Sequence, residues 1–510
     1  MHNLKRKITW KKFHKWAGLV FTVFLLLFCF SGIILNHRQV VSGINVSRNI
    51  LPPSYRISDY NNGIIRGTLP LSDSTLIAYG ATGAWLSDRD GKNIIDFNSG
   101  FPKGADIRNI RSMVRTNDGN IWCAAQYDLY KLQKGKWSKV TLPENEERLS
   151  DITLYPDSSR IVVLTRSAVY VENEKGDLTR TFLPAPVDYS NQISLFKTIW
   201  NLHSGELFGL TGRIVVDIIA IIIIFLCISG ILLFIFPHSL HRLARSSSVK
   251  ARERLKRESG SLKWNFKWHN RIGYLTIIFT IIIAFTGMCL RPPLMIPFVM
   301  TKTSPIPGSS LDNDNAWHDK LRGIRWDSSR RQWLLSTSEG FIRTDSTFSS
   351  SPVRLQSDKT PPVSPMGITV FEETEPGKWL VGSFSGLYKW DAEKGEVTDL
   401  STGKPFKAGS ASRFILSSPI SGYSSDYNTS EPIVFDYTQG TGLLPEMPDL
   451  LRQQSMSLWN FALELHVGRC YTPFLGPLSE LFVFISGAIF ILVLVSGLIM
   501  HNRLKKKNNI

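Results

Sequence analysis

Residues 202–236 read LHSGELFGLTGRIVVDIIAIIIIFLCISGILLFIF. From Ile214 to Phe236 the run is apolar apart from Asp217, Ser229 and Gly230, and a helix of that length crosses a hydrocarbon core of about 30 Å. The same test picks out Ala17 to Asn36, Ile272 to Leu290 and Leu481 to Met500. A soluble globular chain is thereby excluded. The four runs take up under a fifth of the 510 residues, and the rest of a chain that is 43% hydrophobic and 20% charged reads as ordinary water-facing sequence. The expected design is a small bundle joined to large extramembrane parts.

Charge orients it. Residues 1–15 carry +6, the link Pro237 to Asn270 carries +7 and the tail Arg503, Lys505, Lys506 and Lys507 carries +4, which accounts for the whole net charge of +17. By the positive-inside rule these segments are cytoplasmic, so both chain ends are expected inside and the loops His37 to Thr211 and Arg291 to Ser479 outside. The basic balance reports topology and not nucleic-acid binding. A basic stretch before the first run resembles a signal peptide, but about 20 apolar residues with no small-x-small cleavage site predict a retained helix. Cys29, Cys227 and Cys289 fall inside runs, leaving Cys123 and Cys470 as the one pair able to form an outer disulfide.

The runs repeat. Phe13-His14, Gly18 and Ser31-Gly32 stand against Trp268-His269, Gly273 and Thr286-Gly287, with the glycines four and eighteen residues after the histidine in both copies. Likewise Leu202-His203-Ser204-Gly205 precedes Gly209 and Ser229-Gly230, while Leu465-His466-Val467-Gly468 precedes Gly476 and Ser496-Gly497. The chain is two halves of helix, outer loop and helix, a duplication that in membrane bundles places sites between the halves. The segments predicted are 1–36 with the first span, 37–211 as a β-rich domain, 212–236 as the second span and 237–270 as the basic linker. The third span is 271–291, a second β-rich domain 292–478, and the fourth span with its tail 479–510.

Inside the loops, hydrophobic pairs eight or nine residues apart recur at Leu76 to Trp85, Trp122 to Tyr130, Val162 to Tyr170, Trp333 to Phe341 and Trp379 to Tyr388. Each reads as a short hairpin with a polar turn, and the spacing of about 40 residues suits propeller blades. One shared propeller or two separate domains are both compatible with five units. Gly386-Leu387-Tyr388-Lys389-Trp390-Asp391 is a scaffold pattern.

Eight of the ten histidines sit at span ends. Any one of them could be a plain interfacial residue. The repeat singles out four, because it pairs His14 with His269 at the inner face and His203 with His466 at the outer face. Facing imidazoles suit a haem held axially, and Gly18 and Gly273, one turn along the same helix face, leave a flat macrocycle room to approach the backbone. Gly205 and Gly468 offer a similar small neighbour at the outer side. Two haems, one near each face, are therefore expected, with these histidines as iron ligands.

The motifs Phe13 to Gly18, Leu202 to Arg213, Trp268 to Gly273 and Leu465 to Gly468 resemble the PepSY-associated transmembrane family, bacterial inner-membrane proteins that include ferric-siderophore reductases. The resemblance covers roughly 130 residues of spans and flanks. It implies a four-helix bundle with b-type haem that passes electrons outward to a ferric siderophore or other ferric chelate. The donor would be a cytoplasmic protein or a membrane quinol, since no Rossmann fingerprint or P-loop occurs in the short cytoplasmic segments. From another class, the alternative is a non-enzymatic envelope protein, sensory or ligand-binding, whose propeller is only anchored by the bundle. Asp217 is expected to pair with Arg213 four residues earlier, or to relay protons. His37 remains a spare outer ligand, His501 an alternative inner one, and His238 and His241 face headgroups.

Overall fold

Long apolar runs leave the backbone no water to bond, and a helix satisfies each N–H and C=O internally. The computed structural model, which describes residues 10–145, 147–246, 248–364, 366–406 and 418–508, turns the runs into helices. The main ones are α1 (Trp10–Asn36), α2 (Leu195–Ser204), α3 (Gly209–Ala244), α4 (Val249–Leu275), α5 (Ile277–Cys289), α6 (Leu458–His466) and α7 (Ser479–Asn508). Lys5, Arg6 and Lys7, which carry part of the charge argument, lie outside the described residues. Three stretches, Trp10–Asn36, Glu206–Ala244 and Arg469–Arg503, are long and apolar enough to cross a membrane. The remaining expected span is broken: α4 and α5 meet with a bend of 65°, and only together do they make a fourth. At the break Thr276 Oγ1 donates to Ile272 O at 2.9 Å, a back-bond that bends helices.

The described chain divides into two compact units. Met1–Val41, Asn191–Asp312 and Trp459–Ile510 form the helical unit. There α1 packs on α3 and α7, α3 on α4, α5 on α7 and α2 on α5. Cys29, Ile219, Ile223, Cys227 and Phe490 make its core, while Val20, Val23, Ile218, Ile221 and Ile278 point outward, as lipid-facing side chains do. All five cysteines are free and buried, so Cys123 and Cys470 are not joined.

Ser42–Ser190 and Asn313–Leu458 form the other unit, so both long loops contribute to one β-rich body. A short antiparallel pair joins Asn45–Val46 to Met456–Ser457, and the other six sheets are antiparallel and built from consecutive strands. They begin at Gly67–Pro70, Ser112–Arg115, Leu149–Leu154, Leu321–Asp327, Val370–Glu375 and Ile420–Ser424. The five hairpins anticipated from spacing are the second and third strands of the first five sheets; Ala78 faces Trp85, Cys123 faces Tyr130, Val163 faces Tyr170, Ser336 faces Phe341 and Val381 faces Tyr388. The sixth sheet, Ile420–Ser424 with Ile433–Asp436, was not anticipated, because its two short strands lack that aromatic spacing.

First strands of neighbouring sheets pack on one another in cyclic order, the sixth against the first. Apolar clusters fill the gaps: Ile77 and Tyr79 meet Met113 and Cys123, Val162 and Leu164 meet Leu321 and Trp333, and Ile433 and Phe435 meet Leu76 and Trp85. Because sheets cover both faces, second strands such as Ile161–Thr165 are buried throughout and lose the usual alternation. Trp379 is fully buried between the fourth and fifth sheets. Its replacement by Ala is expected to destabilise this unit by about 3–5 kcal/mol, read as a lower urea midpoint.

Candidate functional site

Helix geometry places the four histidines, and a common seat fixes each ring. His14 on α1 brings Nδ1 to Ser496 Oγ and Val493 O of α7, both at 3.0 Å. His269 on α4 brings Nδ1 to Ser229 Oγ of α3 at 2.7 Å. His203, near the end of α2, meets Thr286 Oγ1 of α5 at 3.0 Å. His466, ending α6, meets Ser31 Oγ at 3.0 Å and Phe28 O at 3.1 Å, both on α1.

Every seat is a Ser-Gly or Thr-Gly pair of the repeat. The hydroxyl spends its proton on its own helix: Ser31 donates to Leu27 O, Ser229 to Leu226 O, Thr286 to Ile282 O and Ser496 to Val493 O. It can then only accept from the ring, and so can the carbonyls of Val493 and Phe28. All four Nδ1 atoms therefore carry the proton, which leaves a lone pair on each Nε2, the state a metal-ligating imidazole needs. The glycine supplies the space. A Cβ on Gly287 would lie 2.9 Å from His203 Cε1, on Gly497 3.2 Å from His14 Cε1, on Gly32 3.4 Å from His466 Cε1 and on Gly230 3.7 Å from His269 Cε1.

The rings come together as the repeat pairs them. His14 and His269 have centroids 6.3 Å apart with planes at 85°, and His203 and His466 are 6.1 Å apart with planes at 53°. Two nitrogens bonded at about 2.0 Å to one metal, with ring centres about 1.1 Å behind them, would put centroids about 6.2 Å apart. Among the described residues no group of three or more His, Cys, Asp or Glu side chains gathers, so each pair offers two ligands and not the four of a bare ion.

The other predicted residues sort by geometry. A Cβ on Gly18 would meet only Val493 Cγ1 at 3.8 Å, and one on Gly273 only Leu226 Cδ2 at 3.7 Å, so protein packing does not demand glycine at either place. Gly205 and Gly468 end their helices in the left-handed region, with φ of 80° and 82°, and this already accounts for glycine there. His501 stacks on Tyr274 with centroids 4.4 Å apart, aside from the inner pair. His238 Nδ1 bonds Phe234 O, and His241 lies by Arg245. Asp217 does not pair with Arg213, which goes to Glu206 at 3.3 Å; it holds His37 and Asn36 instead. The seats were the functional feature missed, although their dipeptides stand in the repeat.

Fold and site together define a membrane protein with apolar spanning helices, a β-rich unit and two histidine pairs related by internal duplication. Among known families, the PepSY-associated TM region matches residues 2–236 and again residues 165–502, and the chain belongs to that family. The double match mirrors the duplication. No curated protein matches the chain. Among solved structures it is similar to the extracellular domain of one hybrid two-component system from B. thetaiotaomicron, with TM-score 0.32 and 10% identity over 74% of this chain and 38% of that one. A second such domain from that organism gives TM-score 0.24 and 11% identity over 68% and 36%. The chain thus spans well under half of those structures, and likenesses this low carry no argument about function.

Proposed function

We propose that the protein is a b-haem reductase of the bacterial inner membrane, with both chain ends cytoplasmic, that passes electrons to an acceptor on the periplasmic side. The observation that carries this reading is the set of four imidazoles seated through Nδ1 and paired with ring centroids 6.3 and 6.1 Å apart. His14 and His269 would hold the inner haem, and His203 and His466 the outer one. The fit rests on ring separation, on the fixed tautomer and on the room at Gly18 and Gly273. When bound, haem b supplies a one-electron couple between Fe(III) and Fe(II). The Ser and Thr hydroxyls hold the rings, so little reorganisation accompanies the change of charge.

A ferric siderophore or similar chelate is the acceptor this reading favours, since one electron suffices and Fe(II) is held less tightly by hard oxygen donors. The β-rich unit, read as one six-bladed propeller assembled from both loops, would gather that acceptor. Its cyclic sheet packing supports the propeller, and Arg325 lying 2.7 Å from Asp151 and 3.9 Å from Glu372, on three successive first strands, supports a polar binding channel. The same channel is what a purely ligand-binding envelope protein would use.

Purified protein from haem-replete cells decides between them. Expected are a Soret band and a sharp reduced α band of low-spin haem, and anaerobic reoxidation of the dithionite-reduced protein by a ferric siderophore with Fe(II) trapped by ferrozine. A colourless preparation would end the redox reading. A coloured one that no ferric chelate reoxidises would leave electron transfer but remove iron as its target.

A further inference from the structure

A charged side chain inside a spanning helix is costly and marks function unless the scaffold needs it. Asp217 is such a residue, on α3, and its partners come from the end of α1. His37 Nε2 lies 2.7 Å from Asp217 Oδ2, and Asn36 Nδ2 donates to Asp217 Oδ1 at 3.1 Å. Both carboxylate oxygens are thus occupied and the group is fixed in place. The scaffold does not require this set, because the repeat that doubles the bundle puts Pro292 opposite His37 and Phe484 opposite Asp217. Nor does Arg213 neutralise the carboxylate, being held by Glu206.

With Asp217 Oδ2 as the acceptor, the ring donates from Nε2 and the lone pair sits on His37 Nδ1. Asp217 is the only side-chain partner of His37 among the described residues. The ring is therefore a base with a free acceptor atom, oriented from behind by a carboxylate, the arrangement that makes imidazole a proton acceptor in catalysis. With its side chain 38% exposed against 14% for Asp217, it opens at the end of the span, where an apolar molecule in the bilayer can bring a polar head.

The dyad also lies close to the outer histidine pair. His37 follows Ser31, the seat of His466, by six residues, about 9 Å along a helix axis. Between them Leu35 O accepts from Trp459 Nε1 at 3.1 Å, and just after His37 the Arg38 guanidinium covers the Trp459 ring at 3.7 Å. Trp459 is on α6, the helix that ends in His466.

We infer that His37, oriented by Asp217, is the proton acceptor for a lipid-borne hydroquinone that gives its electrons to the outer pair, an inference that rests on the haem reading above. Such a reductant couples electron loss to loss of hydroxyl protons, which is why a base is needed at this point. The hydroquinone loses two electrons and two protons and leaves as quinone. The haem held by the outer pair would take one electron at a time and pass the first on to the inner one, so that two one-electron acceptors balance the step; one hydroxyl proton passes to His37 Nδ1 and on to water, and the other is released to water directly.

The test uses the full-length, haem-loaded protein in detergent with duroquinol as reductant. His37→Ala and His37→Gln are expected to slow haem reduction by duroquinol by about 100-fold, as loss of a general base does, with dithionite reduction and the low-spin spectrum unchanged. Gln can still bond Asp217 but cannot take a proton, so equal loss in both variants separates chemistry from folding. Added imidazole should restore part of the rate to His37→Gly, and Asp217→Asn should match His37→Gln. A readout independent of turnover is the fluorescence titration of 2-heptyl-4-hydroxyquinoline N-oxide, expected to bind about tenfold more weakly without His37. Unchanged duroquinol rates in His37→Ala, or a haem-loaded wild type that duroquinol never reduces, would overturn the inference while sparing the haem reading. Absence of haem from the wild type would overturn both.

Discussion

Alanine in place of His14 or His269 is expected to remove about half of the bound haem, and alanine in place of His203 or His466 the other half. On the proposed haem reading each centre would depend on two imidazoles carried by different helices, α1 with α4 for one and α2 with α6 for the other. Losing either ring leaves one axial ligand and an open position, so low-spin absorbance falls at that centre alone. Residues of one centre act as a unit, and His14→Ala combined with His269→Ala should therefore cost little more than either change alone, whereas His14→Ala with His203→Ala should abolish the pigment. The centres are distinguishable by their ring planes, at 85° in one and 53° in the other. Near-perpendicular imidazoles give the more anisotropic low-spin electron paramagnetic resonance signal, so that signal should vanish with His14 or His269. If every single variant depleted both signals equally, the pairing would be wrong.

Much of this was open to reading from the chain because it depends on local period. The apolar runs announce themselves by length, the hairpins by aromatic spacing, and the four histidines by standing at matching places in two copies. What stayed hidden depends on which helix lies beside which. Ser31-Gly32, Ser229-Gly230, Thr286-Gly287 and Ser496-Gly497 are visible as a recurring dipeptide, but the ring each receives comes from another helix, up to 482 residues away in the case of Ser496. Asp217 illustrates the hazard of local reasoning: Arg213 is one turn away on the same helix, yet the partner is His37, brought there by the packing of α1 on α3. The bend at Thr276 was equally illegible, since Ile272 to Leu290 is apolar on both sides of it.

The second large effect is expected at the glycines, and its value lies in a ranking. Exchanging Gly for Ala inside a helix ordinarily stabilises by about 0.5–1 kcal/mol, so a loss must come from what the methyl group meets. At Gly287 it would stand 2.9 Å from His203 Cε1, closer than a carbon contact tolerates, while both ring nitrogens lie at an ordinary 3.6 Å. The ring cannot swing aside without leaving the Thr286 hydroxyl and changing its 6.1 Å separation from the His466 ring. Gly287→Ala should accordingly weaken haem retention at the His203 centre by about 10- to 100-fold, the usual scale for disturbing the support of a metal ligand. Gly497→Ala and Gly32→Ala, at 3.2 and 3.4 Å, should do less, and Gly230→Ala, at 3.7 Å, least. Gly18→Ala and Gly273→Ala have no such neighbour in the protein, so any loss of pigment there must come from the macrocycle itself. Haem retention measured during dialysis against apomyoglobin ranks all six. An order unrelated to these distances would mean that the glycines serve helix packing and not the histidines.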